Sequence, residues 1–253
     1  MKLVSLYESI NDKGILKALF VIGITASGKS LLSKPLNFFA RHLDIDYPQE
    51  FYSIKNDIDL GINGDMTIKR NLMKRSIEIT KAQLKSYTNN MLPIVYNTTG
   101  VNLHLIKSKI ECLRALGYDV GIIHINADLN NVLTRAKSRR YGNNKHRHVP
   151  ETFIQDSYKI LQLNAHEYKA MVASDLNSTK PIIDFYKVVQ NNGYMGDETI
   201  TNVYKLAMEF FNSPVKNPVG KSIVNKLRND NNLKTLSDVF NKSELDSIYT
   251  LWK

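Results

Sequence analysis

Short, nearly continuous apolar runs alternate along this chain with longer stretches in which apolar residues recur at helical spacing. The apolar runs predict strands at 16–22, 51–54, 93–96, 120–125 and 182–186. The helical spacing predicts helices at 31–39, 67–87, 103–116, 128–139, 151–171 and 199–211. Strands that alternate with helices indicate an α/β fold, in which a parallel sheet is covered by helices on both faces.

The pattern changes after residue 212. Pro214 and Pro218 indicate a linker, and the apolar residues between 227 and 253 predict two short helices. We therefore predict a main domain over 1–212 and a small helical appendage over 213–253.

One loop follows the first predicted strand directly and leads into the first predicted helix. Residues 23–30 read Gly-Ile-Thr-Ala-Ser-Gly-Lys-Ser, which matches the phosphate-binding pattern G-x-x-x-x-G-K-[ST], the P-loop. Glycine at 23 and 28 allows the backbone to turn tightly and to approach an anion closely. The amide N–H groups of the loop and of the helix start then point at phosphate oxygens.

The residue types of this loop predict which groups a nucleotide would meet. Lys29 reaches the β- and γ-phosphates, and the Ser30 hydroxyl takes a place on Mg²⁺. The sequence thus predicts ATP and Mg²⁺ as cofactors, with Ser30 on the metal. The predicted nucleotide-binding residues of the loop are Gly23, Thr25, Ala26, Ser27, Gly28, Lys29, Ser30 and Leu31.

Composition adds a bias toward anionic partners. The net charge is +10, and the stretch 129–150 contains six Lys or Arg and no Asp or Glu. No apolar run approaches the roughly 20 residues of a membrane span, and the first ten residues are too polar for a secretory signal. We therefore expect a cytoplasmic protein without a membrane partner. The single Cys112 excludes an intramolecular disulfide.

Arginines and a glycine break in the basic stretch predict a lid. Arg135 and Arg139 are four residues apart and share one face of the predicted helix, and Arg140 follows. Arginine suits phosphoryl transfer because negative charge spreads over the γ-phosphoryl oxygens in the transition state. We predict that residues from about 135 to 150 close over ATP and that Arg135 and Arg139 contact its phosphates.

Acidic residues near the predicted second strand supply candidates for a general base. Asp57 and Asp59 follow 51–54, and ligands of open α/β sheets bind at the carboxyl ends of strands. A carboxylate at that position could accept a proton from a substrate hydroxyl, so Asp57 is the predicted base and Asp59 the competing candidate. The preceding acids Asp44, Asp46 and Glu50 are predicted to lie in a solvated loop.

Other P-loop classes fit the chain less well. Asn225-Lys226 and Asn241-Lys242 lack the aspartate two positions on that completes the guanine-reading motif of switch GTPases. Motor proteins are usually longer and have a strand that ends in an acid. The third predicted strand here ends in Asn97-Thr98-Thr99. A short chain with a lid favours a small kinase.

From the P-loop to about Met171 the chain resembles the P-loop kinases that include the 5′-polynucleotide kinase domain of tailed phages and the zeta toxins. The matching segments, in order, are 23–30, Ile54-Lys55-Asn56-Asp57, Ile94 to Thr99, and Arg135 to Arg139 followed by Val149-Pro150. The resemblance implies that Asp57 is the general base and that Arg135 and Arg139 clamp the ATP phosphates. It also implies that Val149-Pro150 opens the helix after the lid.

The chain departs from that family at two places. Asn97 stands where the family usually has a carboxylate, and an amide keeps the hydrogen bonding but loses the charge. Leu60 and Gly61 stand where polynucleotide kinases commonly carry an arginine that grips the acceptor phosphate. The predicted substrate-contacting residues are Asp57, Asp59, Asn97, Thr98, Thr99 and Arg140.

The predicted activity is ATP-dependent phosphate transfer to a hydroxyl of a nucleic acid, nucleoside or nucleotide. In it, Asp57 deprotonates the acceptor, while Lys29, Arg135 and Arg139 neutralise the developing charge. The phage members of the family imply one specific acceptor, a base-linked hydroxymethyl group of modified DNA. Two alternatives stay open: a zeta-toxin-like kinase that acts on a nucleotide sugar, and a nucleotide-binding interaction protein without transfer activity.

Overall fold

The computed structural model describes residues 14–56, 58–60, 64–141, 149–172, 183–193, 197–230 and 232–252. Its centre is a sheet of five parallel strands in the order β2-β3-β1-β4-β5. The strands are β1 Lys17–Ile22, β2 Arg41–Leu43, β3 Ile94–Thr98, β4 Asp119–Asn126 and β5 Phe185–Gln190. All six residues of β1 are buried, as expected for the central strand of a sheet that is covered on both faces.

The helices lie on both sides of this sheet and in the C-terminal region. They are α1 Lys29–Ser33, α2 Asp46–Lys55, α3 Met66–Asn89, α4 Leu103–Ala115, α5 Leu129–Tyr141, α6 Glu151–Ala170, α7 Asp197–Asn212, α8 Pro218–Asn229, α9 Leu236–Val239 and α10 Lys242–Tyr249. A short 3₁₀ helix, Lys34–Phe38, follows α1. The parallel sheet flanked by helices confirms the predicted fold class.

The alternation of side chains along β1 divides the interior into two cores. Phe20 and Ile22 belong to the larger core, together with apolar residues of α3, α4 and α6. Leu19 and Val21 belong to the smaller core, which α1, the 3₁₀ helix and α7 complete. The two faces of β1 therefore pack against the helices that cover the two faces of the sheet.

The second strand lies earlier in the chain than predicted. Residues 51–54 form part of α2, so their assignment as a strand is wrong. Their aromatic content suggested a strand, but helical spacing buries Gln49 and Ser53 and leaves Phe51 and Ile54 exposed. The actual second strand is the three-residue β2, all of whose residues pair with β3.

The fifth strand is shifted toward the C-terminus relative to the prediction. The sequence predicted 182–186, whereas β5 spans Phe185–Gln190 and only its first two residues overlap the prediction. As an edge strand, β5 is partly exposed along most of its length, so it lacks the continuous apolar run that identifies central strands.

The C-terminal helices pack against the larger core. Ile223 of α8 and Leu236 of α9 are buried in it. Trp252 is 5% exposed, and its ring meets that of Tyr96 edge-on, with centroids 5.5 Å apart. The boundary at 212 between a main domain and an appendage stays a prediction. Among the residues that the structure describes, no helix is both long enough and apolar enough to span a membrane.

Candidate phosphate-transfer site

The loop that joins β1 to α1 is folded tightly around its own backbone. Ala26 and Gly28 have φ values of +64° and +100°, in the left-handed region, and the N–H groups of Leu31 and Leu32 donate to the Gly28 carbonyl oxygen. A Cβ atom at Gly23 would lie 2.7 Å from both the Ile125 carbonyl oxygen and the Ser27 Oγ. A side chain at position 23 would therefore force the loop away from the sheet.

Lys29 directs its ammonium group along this loop. Its Nζ donates to the carbonyl oxygens of Gly23 at 2.5 Å and of Ile24 at 2.9 Å. Beside it, the Ser27 Oγ is buried and has no hydrogen-bond partner among the described atoms. Because buried polar atoms are nearly always bonded, this hydroxyl is a candidate contact for a polar ligand at the loop.

A cleft of about 520 Å³ opens over the loop at the carboxyl ends of the strands. Its volume lies within the ordinary range for small-molecule sites. Fifteen of the described residues line it: Thr25, Ala26, Gly28, Lys29, Ser30, Leu31, Asp44, Asp46, Asn97, Thr98, Thr99, Arg135, Ser138, Asn191 and Gly193. The structure thus brings six of the eight predicted P-loop residues, all but Gly23 and Ser27, together with Asn97, Thr98, Thr99 and Arg135.

Asp44 is the carboxylate that follows the second strand; it lies in a loop as predicted but is half-buried rather than solvated, whereas Asp46 and Glu50 belong to α2. Leu43 pairs with Tyr96, which places Asp44 beside Asn97 at the same edge of the sheet. The Asp44 side chain is half-buried, and its Oδ1 accepts the Asp46 N–H at 2.9 Å. Burial, and secondarily the Asp46 carboxylate, raise the pKa of Asp44 above its ordinary value.

Asn97 fixes the second oxygen of this carboxylate. The Asn97 side chain is buried, and its Nδ2 donates to Asp44 Oδ2 at 3.2 Å and to Ser33 Oγ at 3.1 Å. Its Oδ1 is buried without a partner in the part of the chain that the structure describes. The amide therefore holds Asp44 in place and leaves one acceptor free for a donor in the cleft.

Arg135 reaches the cleft from the side of α5. Its Nη2 donates to Asn191 Oδ1 at 3.2 Å and also to the Gly193 carbonyl oxygen. Its Nη1 is buried and has no partner among the atoms of the described residues. The guanidinium thus has an available donor at the cleft, which supports the predicted contact with phosphate.

Asn191 connects that arginine to the P-loop, and sequence reasoning did not identify it. It follows β5 directly and is buried, and its Nδ2 donates to the Ser27 carbonyl oxygen at 2.5 Å. Its own N–H donates to the Asn126 carbonyl oxygen at 2.7 Å. The only sequence signal was its position after a strand, and the fifth strand had been predicted too early for that signal to be used.

Several predicted site residues are not placed in the cleft by this structure. Asp57 lies outside the described residues, as does most of the predicted lid, 142–148. Because 51–54 is helical, the argument that placed Asp57 at the end of a strand does not hold. Asp59 is half-buried and is absent from the described lining of the cleft. Arg139 and Arg140 belong to α5, but their side chains are not described.

The oxygen-rich lining of the cleft fits a magnesium nucleotide. Among the described residues there is no cluster of three or more His, Cys, Asp or Glu that could hold a metal by itself. Magnesium does not need such a cluster, because it keeps several waters and is commonly held by one or two protein oxygens together with substrate phosphates. Ser30, at the start of α1, lines the cleft, as do Asp44 and Asp46.

Comparison with known proteins identifies the architecture. No protein-family model matches this sequence, and no curated protein matches it. A protein of Chloroflexus aurantiacus J-10-fl that is assigned as a kinase superposes with a TM-score of 0.56 at 13% identity, over 78% of this chain and 98% of its own. The chain has a P-loop kinase-like fold.

A second solved structure superposes on a larger share of this chain than the first one does. It comes from the PezAT chromosomal toxin–antitoxin system of Streptococcus pneumoniae, with a TM-score of 0.51 at 12% identity. The superposition covers 94% of this chain and 89% of the other. At such low identities these similarities establish the fold alone.

Proposed function

We propose that this protein transfers the γ-phosphate of ATP to a hydroxyl group of a nucleic acid, nucleoside or nucleotide. The observation that carries the proposal is the convergence on one cleft of three groups with different roles. A P-loop with Lys29 can bind phosphates, Arg135 can neutralise charge, and Asp44 can accept a proton. These groups lie after β1, on α5 and after β2, at positions distant in sequence, and the fold brings them to the same edge of the sheet.

The P-loop half of the cleft would hold the triphosphate. Backbone N–H groups of the loop and the Lys29 ammonium would contact the phosphate oxygens. Ser30 would hold Mg²⁺, which neutralises negative charge on the phosphates when it is bound. Arg135 would turn its unpaired Nη1 toward the transferring phosphoryl group, a step that its hydrogen bonds to Asn191 prepare.

We assign Asp44, rather than Asp57, as the general base. Asn97 Nδ2 and the Asp46 N–H each hold one of its carboxylate oxygens, so the side chain has a defined orientation beside the P-loop. A base is most effective when its pKa lies near the working pH, and burial moves the pKa of Asp44 in that direction. Asp44 would take the proton of the acceptor hydroxyl as that oxygen attacks the γ-phosphorus and the bond to the β-phosphate oxygen breaks.

The acceptor class follows from charge. A net charge of +10 and the basic stretch 129–150 favour a polyanionic or nucleotide acceptor over a neutral metabolite. A base-linked hydroxymethyl group of modified DNA is a specific member of this class. The unpaired Asn97 Oδ1 is a suitable acceptor for a hydroxyl or amino donor of such a substrate.

Transfer of labelled γ-phosphate in the presence of Mg²⁺ tests the proposal. The acceptors are 5′-hydroxyl DNA, 5′-hydroxyl RNA, hydroxymethylated DNA, free nucleosides and UDP-N-acetylglucosamine, and the Lys29→Ala protein is the blank. We expect label on an acceptor of the nucleic acid class. Label on the sugar nucleotide alone would overturn the acceptor class and favour the zeta-toxin alternative. ATP binding without label on any acceptor would favour the non-catalytic alternative.

A further inference from the structure

One face of α2 exposes large apolar side chains to solvent. Tyr47, Phe51 and Ile54 are 71%, 59% and 82% exposed, and their spacing places them on one side of the helix. We call these three residues the α2 aromatic face. Single exposed apolar residues are ordinary, whereas apolar side chains that form a contiguous patch often contact a partner.

The α2 aromatic face is continuous with the cleft. Asp46, the first residue of α2, lines the cleft, and Tyr47 follows it. At 1.5 Å of rise per residue, Phe51 lies about 6 Å and Ile54 about 10 Å farther along the helix than Tyr47. A ligand that leaves the cleft along α2 would therefore meet an aromatic side chain first and a second one a single helical turn later.

Positive charge flanks this face on α3, the neighbouring helix. The exposed positions in the first half of α3 include three cationic residues and no acid; the cations are Arg70, Lys74 and Arg75. The Arg75 guanidinium stacks over the ring of Tyr52 on α2, 4.2 Å from the ring centroid, and Nη2 donates to the Tyr52 hydroxyl at 3.3 Å. This contact joins the two helices and places one cation of α3, Arg75, directly against α2.

We infer that α2 and α3 together bind a single-stranded nucleic acid, whose bases stack on Tyr47 and Phe51. Stacking is tolerant of sequence because every base has a π-face, and flanking cations follow the phosphates. The phosphates run on the α3 side, because α2 itself carries the carboxylates of Asp46 and Glu50. The inference rests on the proposed function, in that the strand enters the cleft with its acceptor hydroxyl toward Asp44.

Charge complementarity favours this occupant over a protein partner or a second copy of the chain. A second copy that packed its α3 against this α3 would meet these cations with like charge. The surface presents aromatic π-faces and cations together, and an unpaired strand can contact both. A duplex cannot, because its bases are stacked on one another and unavailable.

Binding to short labelled strands tests the inference without any need for phosphate transfer. Fluorescence anisotropy is measured with 5′-hydroxyl oligothymidylates of two to twelve nucleotides, in EDTA and without ATP. The Tyr47→Ala/Phe51→Ala protein should bind at least about tenfold more weakly, given the usual contribution of one stacked base. Phe51→Trp should retain binding, whereas Phe51→Leu, which keeps apolar bulk without a π-face, should lose it.

The matched control changes an exposed apolar residue elsewhere. Leu163 of α6 is 71% exposed, and Leu163→Ala should leave strand binding unchanged. For the charges, Arg70→Ala/Lys74→Ala should reduce the magnitude of the slope of log K against log salt concentration by about 1.4. The same double change at two exposed lysines of α8, Lys221→Ala/Lys226→Ala, should leave that slope unchanged.

Three outcomes would overturn the inference. The first is that the wild-type protein binds no strand, and the second is that Phe51→Ala and Leu163→Ala weaken binding equally. The third is that the Tyr47→Ala/Phe51→Ala protein binds strands normally but no longer forms a dimer that the wild-type protein shows in sedimentation. The Asp44→Asn protein separates this inference from the proposed function, because it should bind the strand and transfer no phosphate. Strand binding without transfer by the wild-type protein would overturn only the proposed function.

Discussion

The two ends of β1 hold polar clusters of opposite character. At its amino end the Lys17 ammonium is buried and donates to Asp119 Oδ2 at 2.7 Å, Ser213 Oγ at 2.9 Å and the Pro214 carbonyl oxygen at 3.0 Å. At its carboxyl end, around the P-loop, Ser27 Oγ, Asn97 Oδ1 and Arg135 Nη1 are buried without partners in the described structure.

This difference separates a cluster that satisfies its own polar groups from a cluster that leaves polar atoms available to a ligand. The amino-end cluster satisfies its own charges: Lys17 uses all three donors, and Asp119 also accepts the N–H groups of Lys216 and Asn217. The carboxyl-end cluster leaves polar atoms unpaired, at a cost that native structures rarely accept without a functional reason. The same central strand thus carries a structural ion pair at one end and a candidate active site at the other.

Lys29→Ala should break the carboxyl-end cluster most completely. Loss of the ammonium removes the cation that would neutralise charge on the transferring phosphoryl group, so we expect transfer to fall at least about a thousandfold. Initial rates with saturating acceptor measure the effect. The matched control is Lys221→Ala, because Lys221 also lies between a glycine and a serine but belongs to α8. Equal losses in the two variants would refute a special role for Lys29.

Asp44→Asn should have the next largest effect, about a hundredfold to ten-thousandfold on turnover, with ATP binding retained. The amide keeps the size of the side chain but cannot accept the proton. Turnover is measured by label transfer, and ATP affinity is measured separately by calorimetry. Asp57→Asn is the control, and the larger loss decides which of the two acids is the base.

The pH dependence gives a second check on Asp44. A base must be ionised, so kcat/KM should fall as the pH drops through the pKa of Asp44. Because burial raises that pKa, the acidic limb of the profile should lie above the value near 4 of an ordinary aspartate. The Asp44→Asn protein should lack this limb. An identical limb in the variant would assign the titration to another group.

The phosphate half of the site was predictable because its signal is local. The P-loop pattern, its preceding apolar run and the helix after it lie within about twenty consecutive residues, and the structure places Thr25, Gly28, Lys29 and Ser30 in one cleft. The sheet and the flanking helices followed in the same way from periodicity, since buried strands and amphipathic helices leave repeating patterns.

The half of the site around Asp44 was not predictable, because its signal is non-local. β2 has three residues, and the neighbouring helix α2 is rich in aromatic residues that resemble a strand. The contact between Asp44 and Asn97 joins residues 53 positions apart, and the contact between Asn191 and Ser27 joins residues 164 positions apart. Such contacts follow from strand order and register, which a single sequence does not specify.

Asn191→Ala should have an intermediate effect on transfer, about tenfold to a hundredfold. Asn191 holds both the Ser27 carbonyl and Arg135, so its loss lets the guanidinium leave the position from which it would reach phosphate. A cycle of Asn191→Ala, Arg135→Ala and the double variant, assayed by kcat and by KM for ATP, measures the coupling. Because the two residues share one network, the double variant should lose less than the product of the two single losses. Independent, multiplicative losses would contradict the positioning role.

Lys17→Met should have the smallest effect on transfer, because the rate per folded molecule should not change. The variant tests the cluster at the amino end of β1. The change leaves the Asp119 carboxylate buried without its closest cation, a loss that usually costs about 3–5 kcal/mol. Because the Arg114 guanidinium stays 3.6 Å from Asp119, we expect the lower end of that range in the free energy of unfolding, measured by urea titration. Lys187→Met, at an exposed position of β5, should change stability by less than about 0.5 kcal/mol. A Lys17→Met protein that keeps its stability but loses transfer would show that the two ends of β1 are not separate in function.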